Sequence, residues 1–389
     1  MKVAVVAPSE VPARRANTLQ VMKMTQAIAS LGHEVRLAVP AEHPSRARLT
    51  IHWDELAHHY GLQAEFPIDW LQAHPQLRRY DYGFRSIGWA RRQGADLIYT
   101  RLPQAAAIAS RLGMPCILEM HDLPQGKMGP LLFRAFTGCS GARRLVVITH
   151  GLLNDLVDKL GAQLGPPFTL VAPDGVDLSR YSQLPDIGQA RQVIQTMLGR
   201  SLGRDSFIAG YTGHLYRGRG VELLLQIASR LPEVKFLLAG GEPNNVEIFA
   251  AQVSQNGLEN VILTGFIPNA ELPVYQAACD VLLMPYQRQV AASSGGDIAR
   301  YLSPMKLFEY MACGRAIVSS NLPVLQEVLQ PEFAVLLPPE DINAWVAAIR
   351  ELSSDAQRRT ELGLRARANV SRYTWEGRAR NVLEGIAPL

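Results

Sequence analysis

A chain of 389 residues is too long for one compact domain and fits two or three. With 48% hydrophobic and 19% charged residues it has material for sizeable cores, which excludes whole-chain disorder. Net charge is +4 and unevenly spread: residues 1–180 carry 20 Lys+Arg against 15 Asp+Glu (+5), the remainder 19 against 20 (−1). No basic run is long enough to argue for nucleic acid, whereas anionic small ligands or an anionic surface fit the basic half.

Cysteine and histidine usage narrows the chemistry further. Cys116, Cys139, Cys279 and Cys313 form no CxxC pair, and the nine histidines show no HExxH-like spacing. This pattern fits reduced thiols in a cytosol and argues against a disulfide framework or a structural metal. The longest apolar stretches, VELLLQIA and VILTGFI, fall far short of the ~20 residues of a spanning helix. MKVAVVAPSE is too short an apolar run for a secretory signal. A cytoplasmic protein is expected.

In chain order, KVAVVAP (2–8) predicts a strand, Leu19–Leu31 a helix and HEVRLAVP (33–40) the next strand. That is the unit of a parallel sheet with right-handed crossovers. Further strands are predicted at 96–101, 115–120, 144–149 and 167–173. The grammar restarts after SLGRDS, with strands at 207–213, 234–241, 260–266, 280–286, 315–320 and 334–339. Two doubly wound α/β domains in tandem follow, residues 1–190 and 191–372, with a C-terminal helix over 373–389 near their junction. Neither domain has a GxGxxG after its first strand, which argues against a dinucleotide oxidoreductase. Two such sheets facing across a cleft would put two ligand sites edge to edge, a geometry suited to group transfer.

Two motifs carry chemistry. In YTGHLYRGRGVELLL (211–225) a strand ends at Gly213, and His214, Arg217 and Arg219 precede a helix. Cations and N–H groups at a helix start form an anion site, for a phosphate or diphosphate; a plain turn with solvated arginines is the alternative. In RYLSPMKLFEYMACGRAIVSS (300–320), Ser303 and Pro304 suit the N-cap and N1 positions of a helix starting near Met305. Lys306 there can face a phosphate. Glu309, one turn on, can accept both hydroxyls of a ribose or merely complement the helix dipole.

Together these motifs resemble the C-terminal domain of glycosyltransferase family 4, retaining nucleotide-sugar enzymes of the GT-B fold. GHLYRGRG is similar to the family's Gly-Arg-x4-Lys-Gly pattern, with His214 at the arginine position and Arg219 at the lysine position. TGFIPNAELPVYQAACDVLLMPY (264–286) resembles the next block, where backbone around Phe266 and Ile267 would hold the base. SPMKLFEYMACGRAIVSSNLPVLQEVL resembles the block with the second glutamate of E-x(7)-E, here Glu309. VMKMTQAIASLGHEV, HDLP (121–124) and VAPDGVDLSRY resemble the acceptor domain.

The resemblance implies metal-independent transfer with retention from a UDP-, GDP- or ADP-sugar to a glycan, glycolipid or small-metabolite acceptor. No cofactor is implied. It gives Arg219 and Lys306 the leaving diphosphate, helped by the N–H groups of 304–307, including Met305 and Leu307. His121 would contact the donor sugar near the reacting centre; a satisfied core histidine is the alternative. Asp122 would either orient His121 or face the ligand.

Three departures stand out. Tyr301 occupies the position of the first E-x(7)-E glutamate, with Asp297 a turn earlier as the substitute. His214 replaces an arginine. The first loop, PSEVPARRANTLQ, lacks a glycine pair, so Asn17 and Thr18 would supply its polar contacts. A sugar-nucleotide epimerase and a non-catalytic nucleotide-sugar-binding relative are the rival readings. Finally, 70–92 mixes aromatics with arginines; Arg78, Arg85 and Arg92 recur at sevens. Such a helix either covers the sheet with its arginines in water or lies on an anionic membrane surface near a lipid-linked acceptor.

Overall fold

The alternation of short β-branched runs with amphipathic stretches folds as two α/β units. The computed structural model describes residues 1–41, 51–161, 164–203, 205–291 and 296–386. Unit 1 comprises Met1–Asp174 and Trp375–Leu389, and unit 2 comprises Gly175–Thr374. The division thus falls at 174/175, not at 190. Residues just beyond it are tied to unit 2: the Tyr181 hydroxyl donates to Gln276, and Arg191 donates to the Ala278 carbonyl and pairs with Asp280 at 2.6 Å.

Unit 1 is built on a seven-stranded sheet in the order β3-β2-β1-β4-β5-β6-β7. The strands are β1 Lys2–Val6, β2 Glu34–Ala41, β3 Ile68–Gln72, β4 Leu97–Thr100, β5 Cys116–Met120, β6 Ala142–Val147 and β7 Thr169–Val171. All pairs are parallel. Parallel strands covered on both faces need continuous apolar runs, and β4 and β5 are buried at every residue. Helix α1, Ala16–Ser30, follows β1 and packs against the chain's last helix, α14 Trp375–Leu383. Arg144 on β6 donates to the carbonyls of Asn381, Val382 and Glu384, satisfying the orphan end of α14. The last helix is therefore an integral part of unit 1.

Strand β3 is the element the sequence pattern did not reveal. It is an edge strand, only partly buried, so it lacks a clean apolar run. Residues 70–92 are consequently not one helix: strand end, a 3-10 turn at Pro75–Leu77, then α3, Tyr80–Arg92. Arg78 precedes α3 in the left-handed region (φ 47°), so the basic heptad spans a turn and a helix. Helix α3 buries Tyr82, Ile87 and Trp89, and Trp89 donates to Asp69 on β3. Trp70 is tied inward to the Val11 carbonyl, while Phe84 is 65% exposed.

Unit 2 has a six-stranded parallel sheet in the order β10-β9-β8-β11-β12-β13. Its strands are β8 Phe207–Thr212, β9 Val234–Ala239, β10 Val261–Gly265, β11 Val281–Met284, β12 Ala316–Ser320 and β13 Ala334–Leu337. Each was predicted. Helix α8, Val221–Arg230, follows β8, and α11, Met305–Cys313, precedes β12. One core centres on Phe308, Tyr310 and Tyr286, the other on Phe236, Leu224 and Trp345. In both sheets the order reverses beside the first strand, β1 against β4 and β8 against β11. Ligands bind at such switch points, beyond the carboxyl ends of the strands.

Candidate functional site

At the unit 2 switch point the loops after β8 and β11 are hydrogen-bonded to each other. Gln287 N–H donates to the Gly218 carbonyl and Ala291 N–H to the Arg217 carbonyl. Gly220 (φ 84°) starts α8 so close to the Pro285 carbonyl that a Cβ would collide with it. The floor is Gly213 (φ 133°), where a Cβ would stand 2.8 Å from the Lys306 amine. Glycine is what lets the lysine reach the strand end.

Two cations converge there. Lys306 Nζ lies 3.7 Å from the Tyr211 ring centroid and 5.5 Å from that of Tyr286. It is shielded from solvent with no hydrogen-bond partner among the described residues, as is Arg219 Nε. The Arg219 side chain donates from Nη1 to the Tyr286 hydroxyl at 3.2 Å. Burial, then the Arg219 charge, holds the Lys306 ammonium well below its ordinary pKa, against the attraction of Glu309. His214 stacks on Tyr216, centroids 4.7 Å apart. Burial and the charges of Arg219 and Lys306 push its pKa down to about 4, so it is neutral near pH 7. Positive charge at this site rests on Arg219 and Lys306.

Glu309 lies three residues after Lys306 on α11, hence on the same helix face. It is 7% exposed and accepts from Asn269 and Gln276, both at 3.3 Å. Asn269 in turn accepts from Arg180 at 2.7 Å. Long hydrogen bonds leave acceptor capacity on the carboxylate. Phe266 and Ile267 follow β10, half-buried, on the same sheet edge.

Several sequence expectations shift. The cap position of α11 is Pro304, without a side-chain cap, and Ser303 lies before it. Proline has no N–H, and Leu307 N–H already donates to the Pro304 carbonyl at 2.9 Å, which leaves Met305 and Lys306 at the helix start. Tyr301 is 5% exposed and packs inward. Asp297 spends Oδ1 on the N–H groups of Val290 and Ala299, at 2.8 and 2.9 Å, so it staples its own loop. Residues 292–295 of loop 287–303 lie outside the described residues.

In unit 1, His121 follows β5 at its carboxyl end. Its partner is Glu119, at 2.5 Å, and not Asp122. Asp122 accepts from Leu123 N–H at 2.7 Å and from Gln125 at 3.2 Å, making a local turn, and half burial raises its pKa. Thr18 is 1% exposed, bonded to Ser9 and Asn17, so it is spent within the fold. Asn17 is half-buried in the first turn of α1. Glu119, His121 and Asp174 bring ligand-type atoms within 4.8 Å of one another. A metal there would have to displace Arg378, which spans both Glu119 oxygens at 3.0 and 3.1 Å.

Sequence reasoning missed Tyr211, Tyr286, Asn269, Gln276, Glu119 and Arg378. A glutamate inside the apolar run PCILEM was the one legible signal among them, since a buried strand carries a charge only when it is paired.

Comparisons with known proteins fit this geometry. A family profile described as glycosyl transferases group 1 matches residues 206–355, and one described as glycosyl transferase 4-like domain matches residues 18–175. The GDP-mannose-dependent alpha-(1-6)-phosphatidylinositol monomannoside mannosyltransferase of Mycolicibacterium smegmatis is 25% identical over 321 residues, 71% of this chain and 79% of that enzyme. The D-inositol 3-phosphate glycosyltransferase of Corynebacterium urealyticum is 27% identical over 230 residues, which span 55% of this chain but only 50% of that enzyme. Among solved structures, Anabaena HepE in complex with UDP superposes with a TM-score of 0.73 at 18% identity, covering 99% of both chains. The chain belongs to the family-4 type of glycosyltransferases with the GT-B fold.

Proposed function

We propose that the chain moves a sugar from a nucleoside-diphosphate sugar to a hydroxyl of a glycan, glycolipid or small metabolite, with retention at the anomeric carbon and without a metal ion. One observation carries this reading: Lys306 Nζ and Arg219 Nε are shielded from water and have no protein acceptor among the described residues. Uncompensated shielded cations are costly, and a diphosphate supplies the missing charge and acceptors. As the bond from the anomeric carbon to the diphosphate oxygen breaks, negative charge grows on the leaving group. The two cations, with the N–H groups of Met305 and Lys306, are fixed in advance to receive it, the task a magnesium ion performs in other enzymes. Glu309 takes the ribose hydroxyls, and the backbone at Phe266 and Ile267 takes the base. His121 meets a sugar hydroxyl.

One relative named above is GDP-mannose-dependent and HepE was solved in complex with UDP, so UDP, GDP and ADP all belong in the test set. Phosphorylated inositols and their lipids appear in two relatives' names and head the acceptor classes to try. We assign the protein to the cytoplasm. For residues 70–92 we adopt the water-facing reading, because Trp70 and Trp89 are tied inward. Vesicle binding by the intact chain that is lost in Phe84→Ser would favour the peripheral-membrane reading instead.

Lys306→Ala and Arg219→Ala should each weaken nucleoside-diphosphate binding about 10- to 100-fold in calorimetry, the loss of a charge-assisted contact. Unchanged affinity in both would remove the diphosphate from this site. Transfer that disappears with EDTA and returns with manganese would contradict the metal-free mechanism.

A further inference from the structure

Beneath His121 lies a polar cluster that the transfer chemistry above does not use. Glu119 is buried in β5; its Oε1 accepts from Gln20 at 2.6 Å, pairs with Arg378 Nη2 at 3.0 Å and lies 2.5 Å from His121 Nε2. Its Oε2 accepts from Arg378 Nη1 at 3.1 Å. Arg378 comes from α14 and is 4% exposed. It also donates from Nε to the Pro173 carbonyl at 2.9 Å and from Nη2 to the Ala172 carbonyl at 3.1 Å. One guanidinium therefore ties β5, the exit of β7 and the last helix to a single carboxylate. A buried planar fork of this kind is held far more firmly than a surface ion pair.

The consequence concerns which proton His121 carries. Burial alone would raise the Glu119 carboxyl, but Arg378 and the hydrogen bond from His121 hold it below its ordinary value. An ionised carboxylate accepts only, so the 2.5 Å contact requires hydrogen on Nε2. Because Arg378 already balances the Glu119 charge, little is left to stabilise a second proton on the ring. Burial and the nearby charge of Arg101 act against it as well, pushing the imidazole down to about 4. Nδ1 then carries a lone pair, and no protein group among the described residues donates to it.

We propose that Arg378 is a positioning residue: through Glu119 it fixes His121 as the neutral imidazole protonated at Nε2, which meets its ligand through Nδ1 as a hydrogen-bond acceptor. The ligand group is therefore a donor, a sugar hydroxyl and not a phosphate oxygen. This rests on the reading that His121 contacts a sugar during transfer. It also makes α14 part of the reaction's support.

The test uses the full chain labelled with 15N-histidine, read by long-range 1H–15N correlation near neutral pH. The His121 signals are assigned by their loss in His121→Gln. We expect the wild-type pattern of a neutral ring with hydrogen on Nε2. In Arg378→Met the uncompensated Glu119 carboxylate should draw a second proton onto the ring. Turnover should fall about tenfold or more, while nucleoside-diphosphate affinity, set in unit 2, stays within about twofold. Arg378→Lys, which keeps the charge, should restore the neutral ring.

A wild-type imidazolium, or a ring with hydrogen on Nδ1, overturns the proposal, and that result needs no variant to fold. A folded Arg378→Met with an unchanged His121 spectrum overturns it equally. Full transfer by His121→Gln would instead overturn the sugar-contact reading and leave the measured tautomer standing, so the two failures are distinguishable.

Discussion

Lys306 shows most plainly how a residue's surroundings set its task. Its amine sits against the Tyr211 ring, shielded and without an acceptor, beside the like charge of Arg219. Its pKa in the free protein is therefore depressed, by burial first and Arg219 second. A bound diphosphate opposes both causes and raises it. Between the free and bound values the complex holds more protons than its separate parts, so binding takes up protons and affinity weakens as pH rises through that window. Calorimetry at a series of pH values below the ordinary lysine pKa, in buffers of different ionisation enthalpy, should reveal this uptake, and Lys306→Met should abolish it. Absence of proton uptake in the wild type would separate Lys306 from the diphosphate. The lysine, Arg219, Glu309 and His121 were all legible as residues because each sits in a motif with a defined place on a strand end or helix start. Their partners were not. Asn269 and Gln276 reach Glu309 from 40 and 33 residues away, and Arg378 reaches Glu119 from 259, distances over which sequence pattern carries no signal.

At the scale of elements, parallel strands buried on both faces announce themselves as apolar runs, which is why twelve of the thirteen strands among the described residues were read from sequence. The exception, β3, lies at a sheet edge and alternates too weakly to stand out. Helix caps are harder to read. Helix α11 starts at Met305, where it was read, but Ser303 has the residue type of a cap and the cap position is Pro304, one residue later. Backbone geometry controls the start of α8. Gly220 has φ 84° and abuts the Pro285 carbonyl, so Gly220→Ala should lower stability by about 3 kcal/mol in denaturant unfolding. A loss near the ~1 kcal/mol of an ordinary helix glycine would mean the β8 and β11 loops are not locked together as described.

At the scale of the whole molecule, two α/β units of different charge share one chain, and the last helix returns to complete the first of them. Sequence placed the division at 190, between the strand predicted at 167–173 and the restart of the alternation after SLGRDS. The fold places it at 174/175 because the segment that follows already hydrogen-bonds into unit 2. No helix among the described residues is long and apolar enough to cross a membrane. A thermal-shift panel tests whether unit 2 carries a working nucleoside-diphosphate site. UDP, GDP, ADP, CDP and TDP would be compared without metal, in wild type and Glu309→Ala. A ligand at a hundredfold over its Kd stabilises by ~2.7 kcal/mol. One diphosphate should stand out, EDTA should leave its shift intact and Glu309→Ala should remove it. No shift from any of the five would contradict such a site.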